Sequence, residues 1–106
     1  NCLFTVFPSL FEGWGLPISE SLAHGKFCIA SNTSSMPEVG GDFCVYLDPY
    51  DQRAWEFQLG KYFLCEDLLA EKEKVIRNQY KPITWTEVAH NVLKAINTNI
   101  ENICAL

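Results

Sequence analysis

Basic charge is scarce in this sequence: 8 Lys+Arg stand against 13 Asp+Glu, a formal net charge of −5 at pH 7. So few cations argue against a nucleic-acid groove or a polybasic membrane patch in the segment. A negatively charged ligand would have to be held mainly by backbone dipoles. Long apolar runs are missing too, since none approaches the roughly 18 residues of a membrane span, and no signal or transit segment precedes the first strand-like run. Metal-knuckle spacing is absent. The five cysteines, Cys2, Cys28, Cys44, Cys65 and Cys104, are scattered and odd in number, and most lie in apolar runs, which reads as buried, reduced thiols of a cytosolic protein.

Repeats, low-complexity tracts and linkers are also missing, and "YKPIT" is the one evident break between helices. With 106 residues, the chain can build one domain with a modest core but is short for a complete two-substrate enzyme. It opens on Asn1 rather than methionine and enters an apolar run almost at once. The expectation is a domain or fragment cut just upstream of a strand.

What is present is 48% hydrophobic and 20% charged, the balance of a globular domain. Three β-type runs, Cys2 to Phe7, Phe27 to Ala30 and Phe43 to Leu47, are nearly continuous in apolar residues, as in parallel strands buried on both faces. Between the first two, Pro17 to His24 reads as a helix, with Pro17 suited to its first position and Gly25 to a left-handed terminus. This is a βαβ unit. A single helical turn is expected from Pro37, ended by Gly40 and Gly41, and Asp51 can cap a helix from Gln52 to Cys65. A further helix from Asp67 to Gln79 would bury Leu68, Leu69, Val75 and Ile76. Thr84 and Glu87 form a capping-box pattern ahead of a stripe, Trp85, Val88, Ala89, Val92, Leu93, Ile96, Ile100 and Ile103, at spacings of three and four. That stripe should cover something. The order predicts an α/β fold: a partial Rossmann-like, doubly wound parallel sheet followed by C-terminal helices.

Ligands of such sheets bind at the carboxyl ends of the strands, where "FPSLFEGWGLPISESLAHG", Phe7 to Gly25, places a glycine-bearing loop against a helix start. Free N–H groups and the positive end of the helix dipole favour an anion such as phosphate. Gly13 and Gly15 let the main chain come close, and Trp14 can wall an organic group. Glu12 before the turn and Glu20, expected in the first helical turn, are carboxylates that accept hydrogen bonds from paired hydroxyls. Together these features suit a nucleoside diphosphate sugar, with its ribose diol, diphosphate and hexose hydroxyls. The bland reading is a tight strand-to-helix turn with Glu20 favouring the helix start and Glu12 solvated.

"EGWGLPISE" resembles the E-x7-E motif of retaining GT-B glycosyltransferases of family 4, and "SNTSSMPEVGGD" and "YLDPYD" resemble the segments that follow it in bacterial mannosyltransferases of surface-polysaccharide pathways. The likeness runs over about residues 1 to 55, and more loosely to the tryptophan-led last helix. It implies that residues 1–106 are part of the C-terminal nucleotide-sugar-binding domain, without the N-terminal acceptor domain and first strands. The activity implied is hexosyl transfer, mannosyl by the nearest likeness, from a GDP- or UDP-sugar to a glycan or lipid-linked acceptor, with retention.

In that family Glu12 would lie by the donor hexose near the reacting carbon, orienting it and stabilising charge rather than forming a covalent adduct. Glu20 would grip the ribose. Backbone groups of Gly13, Trp14, Gly15, Leu16 and Pro17 would contact sugar and diphosphate. No cofactor and no metal is implied, and no nucleic-acid partner. The location implied is cytoplasmic, peripheral at the inner membrane face, with any membrane contact outside this segment. The Arg and Lys that neutralise the leaving diphosphate in the family fall upstream of Asn1, and Lys26 and Arg53 are not at equivalent positions, so this chain alone is not expected to complete a transfer.

Competing readings are another GT-B nucleotide-sugar enzyme, against which "GLPISE" argues, and a non-catalytic α/β module that keeps the fold. Elsewhere His24 reads as a dipole-favoured helix-end residue, His90 as surface or rim, Glu38 as a capping residue, and Trp55 and Trp85 as packing helices against the sheet.

Overall fold

The computed structural model describes residues 2–105. Three parallel strands, β1 (Thr5–Phe7), β2 (Cys28–Ser31) and β3 (Val45–Leu47), form a sheet in the order β1-β2-β3. Thr5 pairs with Cys28, and Ile29 with Val45. Helix α1 (Leu16–Ala23) makes the first crossover. The second runs through α2 (Met36–Gly40) and a 3-10 turn (Gly41–Phe43), and α3 (Gln52–Leu64), α4 (Glu66–Gln79) and α5 (Trp85–Cys104) follow. The expected α/β, Rossmann-like arrangement is therefore present.

Helices cover both faces of the sheet. Phe27 stacks at 4.4 Å on Tyr62 of α3, whereas Cys44 lies close to Gly40 of α2, beside Ile18 of α1. Successive strand side chains alternate in direction, so α3 covers one face and α1 with α2 the other. Ile18, Leu22, Phe27, Ile29, Met36 and Ile76 are fully or almost fully buried, each worth roughly 1.5–3 kcal/mol against exposure.

Local chemistry sets the helix ends. Asp51 accepts a hydrogen bond from Ala54 N at 3.0 Å and caps α3, and Trp55 is buried with its Nε1 donating to Asp48 O at 2.9 Å. Gly25 closes α1 with φ +69°, and a Cβ there would meet Arg77 Cγ at 2.7 Å. Arg77 and Lys26 both pair with the buried Glu73, at 2.7 and 3.0 Å, fastening the end of α1 to α4.

Several expectations need correction. Only β2 is buried along its length; β1 and β3 are partly open, because each is paired on one side only among the described residues. Phe43 belongs to the 3-10 turn rather than to β3. Val75 is exposed, while Leu69 and Ile76 carry the packing of α4. Glu38 makes no capping hydrogen bond, and α2 starts without a side-chain cap. Of the cysteines, all free, only Cys28 is buried; Cys44 is half-buried and Cys2, Cys65 and Cys104 are exposed. Hydrogen bonding to Cys44 lowers the Cys28 pKa and raises that of Cys44, whose burial adds to the rise.

The largest departure is α5. Its capping box forms as expected, yet none of its described residues is buried and Trp85 is 87% exposed. Among the described residues the stripe is buried against nothing, because α1, α2, α3 and α4 already occupy the faces of the sheet.

Candidate functional site

The site is built where β1 and β2 end. After Phe7 the chain runs through an irregular loop to Gly15, which holds φ 72° and ψ 47° as the residue ahead of α1. An L-residue there would be strained, although a Cβ would meet nothing closer than 3.5 Å. Conformation rather than space requires this glycine. Gly13 differs: a Cβ there would meet nothing within 4 Å, so its missing side chain leaves the loop surface open.

The loop is held from the other strand. Glu12 N–H donates to Ser34 Oγ at 3.2 Å, the same hydroxyl donates to Glu12 O, and Ser35 Oγ donates to Glu12 O at 3.1 Å. Thr33 Oγ1 donates to Leu10 O at 3.0 Å, and Ser9 Oγ donates to Glu12 Oε1 at 2.8 Å. The segment after β2 thus grips the main chain of the loop after β1, with each bond worth about 1 kcal/mol. Ser34 has φ 58°, the one positive value outside glycine among the described residues. Sequence reasoning missed this clamp; the Ser/Thr cluster "SNTSS" directly after a strand was its available signal.

The structure brings Glu12, Gly13, Trp14, Gly15, Leu16 and Pro17 together on this loop and the first residues of α1. Not all offer amides. Pro17 has no N–H, and Ile18 N–H is already donated to Gly15 O at 3.0 Å. The N–H groups of Trp14, Gly15 and Leu16 have no acceptor among the described residues. Those three, with the equally unengaged N–H of Gly13, are the donors an anion could use.

Glu20 is the fifth residue of α1, one position beyond the first turn in which it was expected, because the helix begins at Leu16. It is exposed and borders two clefts. One, about 550 Å³, is lined by Thr5, Pro17, Ser21, His24 and Lys26 beside it. The other, about 430 Å³, lies toward Trp14, Tyr80 and Trp85. His24 and His90 are both at the surface. Among the described residues no three His, Cys, Asp or Glu side chains are grouped to hold a metal ion, and no helix is long and apolar enough to cross a membrane.

A carboxylate on a pinned loop, open amides at a helix start and a second carboxylate on the same helix can hold a ligand carrying both phosphate and hydroxyls. The family model described as "Glycosyl transferases group 1" matches residues 1–81. The chain is 48% identical over 46 residues to the O-antigen chain mannosyltransferase B of Escherichia coli, which covers 43% of this chain and 12% of that protein. It is 33% identical over 89 residues to the serotype-specific mannosyltransferase WbdA of Escherichia coli, covering 84% of this chain and 11% of that protein. The chain therefore spans only 11–12% of the length of these relatives. No solved structure gives a significant match.

Proposed function

The chain belongs to the group 1 glycosyl transferases, and from that premise we propose that it is the donor-binding part of a retaining, family 4 type GT-B enzyme. The reaction is transfer of a mannosyl group from a nucleotide-diphosphate sugar to a glycan or lipid-linked acceptor, at the cytoplasmic side of a membrane. The sugar assignment rests on the names of the relatives, an O-antigen chain mannosyltransferase and a serotype-specific mannosyltransferase.

The observation that carries the reading is the fixed position of Glu12. Ser34 and Ser35 hold its backbone and Ser9 its carboxylate, so the side chain stands ready at the strand ends beside the open amides of Trp14, Gly15 and Leu16. In this reading those amides take the diphosphate, and Glu12 orients the hexose and stabilises positive charge developing at its anomeric carbon. The bond from that carbon to the phosphate oxygen breaks through an oxocarbenium-like transition state, and stabilisation of the leaving phosphate is the dominant effect. Glu20 accepts hydrogen bonds from the ribose hydroxyls. The E-x7-E spacing of Glu12 and Glu20 gives the two carboxylates to the two ends of one donor. The acceptor-binding part and the cations facing the diphosphate belong, in this reading, to the rest of a longer polypeptide.

The test is a donor screen on the full-length protein with GDP- and UDP-sugars, reading nucleotide release and glycan extension. GDP-mannose is the expected donor, with the anomeric configuration retained. Release from no nucleotide sugar in the presence of a mannosyl acceptor, or an inverted product, would overturn the proposal. A glycosyl adduct trapped on Glu12 would replace the orienting role with a nucleophilic one.

A further inference from the structure

Cys28 and Cys44 stand side by side on neighbouring strands, and the roles above use neither. In the parallel pairing of β2 with β3, Ile29 is matched to Val45. One position earlier on each strand the match is Cys28 with Cys44, whose backbone is still extended at φ −111° and ψ 163°. Matched residues of parallel strands point to the same face, here the one covered by α1 and α2. Neighbouring strands lie roughly 4.8 Å apart, which is within the ~4.4–6.8 Å that the Cα atoms of a disulfide span.

Both thiols are free, and they hydrogen-bond to one another. Thr5, matched to Cys28 from β1, brings a hydroxyl to the other side of the Cys28 sulfur. The bond from Cys44, with that from Thr5, outweighs burial and brings the Cys28 pKa below its ordinary value. A buried thiol is ordinarily inert, and a thiolate favoured in this way is the nucleophilic form.

Cys44 also touches the segment that holds Glu12. A Cβ on the buried Gly40 would lie 2.7 Å from Cys44 Sγ, so the sulfur fills the space that this glycine leaves. Gly40 is the last residue of α2, and α2 starts directly after Ser34 and Ser35, whose hydroxyls bond the Glu12 backbone. The thiol pair and the clamp are two ends of one short element.

We propose that hydrogen peroxide joins Cys28 and Cys44 in a reversible disulfide, and that this bond draws the Cys44 sulfur away from Gly40 and loosens the grip of Ser34 and Ser35 on Glu12. The Cys28 sulfur attacks one peroxide oxygen; the O–O bond breaks, the departing hydroxide takes a proton to become water, and Cys28 becomes a sulfenic acid. The Cys44 sulfur then attacks Cys28, the S–S bond forms, and the hydroxyl leaves with the Cys44 proton as a second water. Two thiols are oxidised and one peroxide is reduced. Cys28 is 1% exposed and Cys44 half-buried, so the approach past Cys44 suits an oxidant as small as peroxide. The effect on turnover rests on the donor-binding reading, whereas the bond itself depends only on the two strands.

The experiment treats the reduced full-length protein with hydrogen peroxide and maps its disulfides by mass spectrometry. Hydrogen exchange at the Glu12 amide and mannosyl transfer from GDP-mannose are followed before and after dithiothreitol. Peroxide is expected to give a Cys28–Cys44 crosslinked peptide, faster exchange at Glu12, and a kcat lowered by about tenfold, a scale reached by a small displacement of a catalytic group; dithiothreitol should reverse all three. Reduced Cys44→Ser, which keeps the shape of the side chain, should turn over at the original rate and resist peroxide. A map without the Cys28–Cys44 bond overturns the proposal, as does a mapped bond with unchanged exchange at Glu12, or equal peroxide sensitivity in Cys44→Ser. The map and the exchange are read on the unsubstituted protein, so they decide even where the variant loses activity. A mapped bond with faster exchange, in a protein that turns over no nucleotide sugar when reduced, supports the switch and removes the donor reading. Full turnover by the crosslinked protein overturns the switch and leaves the donor reading standing.

Discussion

Ser34 and Glu12 are hydrogen-bonded in both directions: the Glu12 N–H donates to Ser34 Oγ at 3.2 Å, and the same hydroxyl donates its proton to the Glu12 carbonyl. One side chain thus satisfies both backbone groups of the residue proposed to face the donor sugar. Ser34 holds φ 58° while doing so, a conformation costing roughly 1–2 kcal/mol for an L-residue.

Two substitutions separate these contributions. Ser34→Ala loses both hydrogen bonds and keeps the strained backbone, so the protein should lose about 1–2 kcal/mol of stability. Ser34→Gly loses the same bonds but relieves the strain, and should lie above Ser34→Ala in chemical denaturation. Both should lower kcat in the full-length enzyme, because the Glu12 loop is freed. Identical stability of the two variants would show that the left-handed backbone stores no strain.

The two carboxylates should fail differently. Glu20→Ala is expected to weaken binding of GDP itself by about tenfold, the scale of hydrogen bonds to a charged group. Glu12→Ala should leave GDP affinity near its original value and depress kcat, since its proposed partner is the hexose. Calorimetry with GDP and with GDP-mannose checks both. Equal GDP affinity in Glu20→Ala would count against the ribose role.

Elements dictated by local chemistry were legible in the sequence, and contacts between distant segments were not. The βαβ unit could be read because apolar runs flank a helix punctuated by Pro17 and Gly25, and Gly25 does take the left-handed conformation. Asp51 and the Thr84/Glu87 box act within three residues of their partners, so pattern alone found them. Glu20 was expected in the first turn, and a one-residue shift of the helix start, from Pro17 to Leu16, moves it just out of that turn. The Thr33–Ser35 clamp links residues more than twenty positions apart and leaves no periodic trace. Cys65 and Cys104 sit in apolar text yet are exposed, since Cys65 falls at the junction of α3 and α4 and Cys104 ends the uncovered α5. Trp85 and its stripe follow the period of a packed helix, but periodicity does not say whether the covering surface lies in the same chain.

At the end of α1, Gly25 and Arg77 should be coupled. Gly25→Ala forces a Cβ into a left-handed position and against Arg77 Cγ, 2.7 Å away. The backbone effect alone is roughly 1 kcal/mol or more. Displacing Arg77 also disturbs its 2.7 Å pair with Glu73. Arg77→Ala removes the obstacle, so the double variant should be less destabilised than the sum of the two single ones. A double-mutant cycle by urea denaturation measures this; strict additivity would mean that Arg77 moves aside freely.

The start of α5 should respond to acid. The Thr84 N–H donates to Glu87 Oε2 at 2.8 Å and the Thr84 hydroxyl lies 2.9 Å from the same oxygen; the backbone bond first, then the hydroxyl, holds the Glu87 carboxyl below its ordinary value of 4.5. The shift is downward, so the ionised form is the one stabilised by folding. Its contribution is present above the ordinary glutamate pKa and is lost as pH falls through the lowered folded value. The amides of the first turn of α5 should therefore keep their hydrogen-exchange protection through the ordinary glutamate range and lose it only at more acid pH, after correction for intrinsic exchange rates. In Glu87→Gln, which keeps an acceptor but cannot ionise, this acid-dependent loss should disappear. A first turn that titrates identically in that variant would assign the transition to another group.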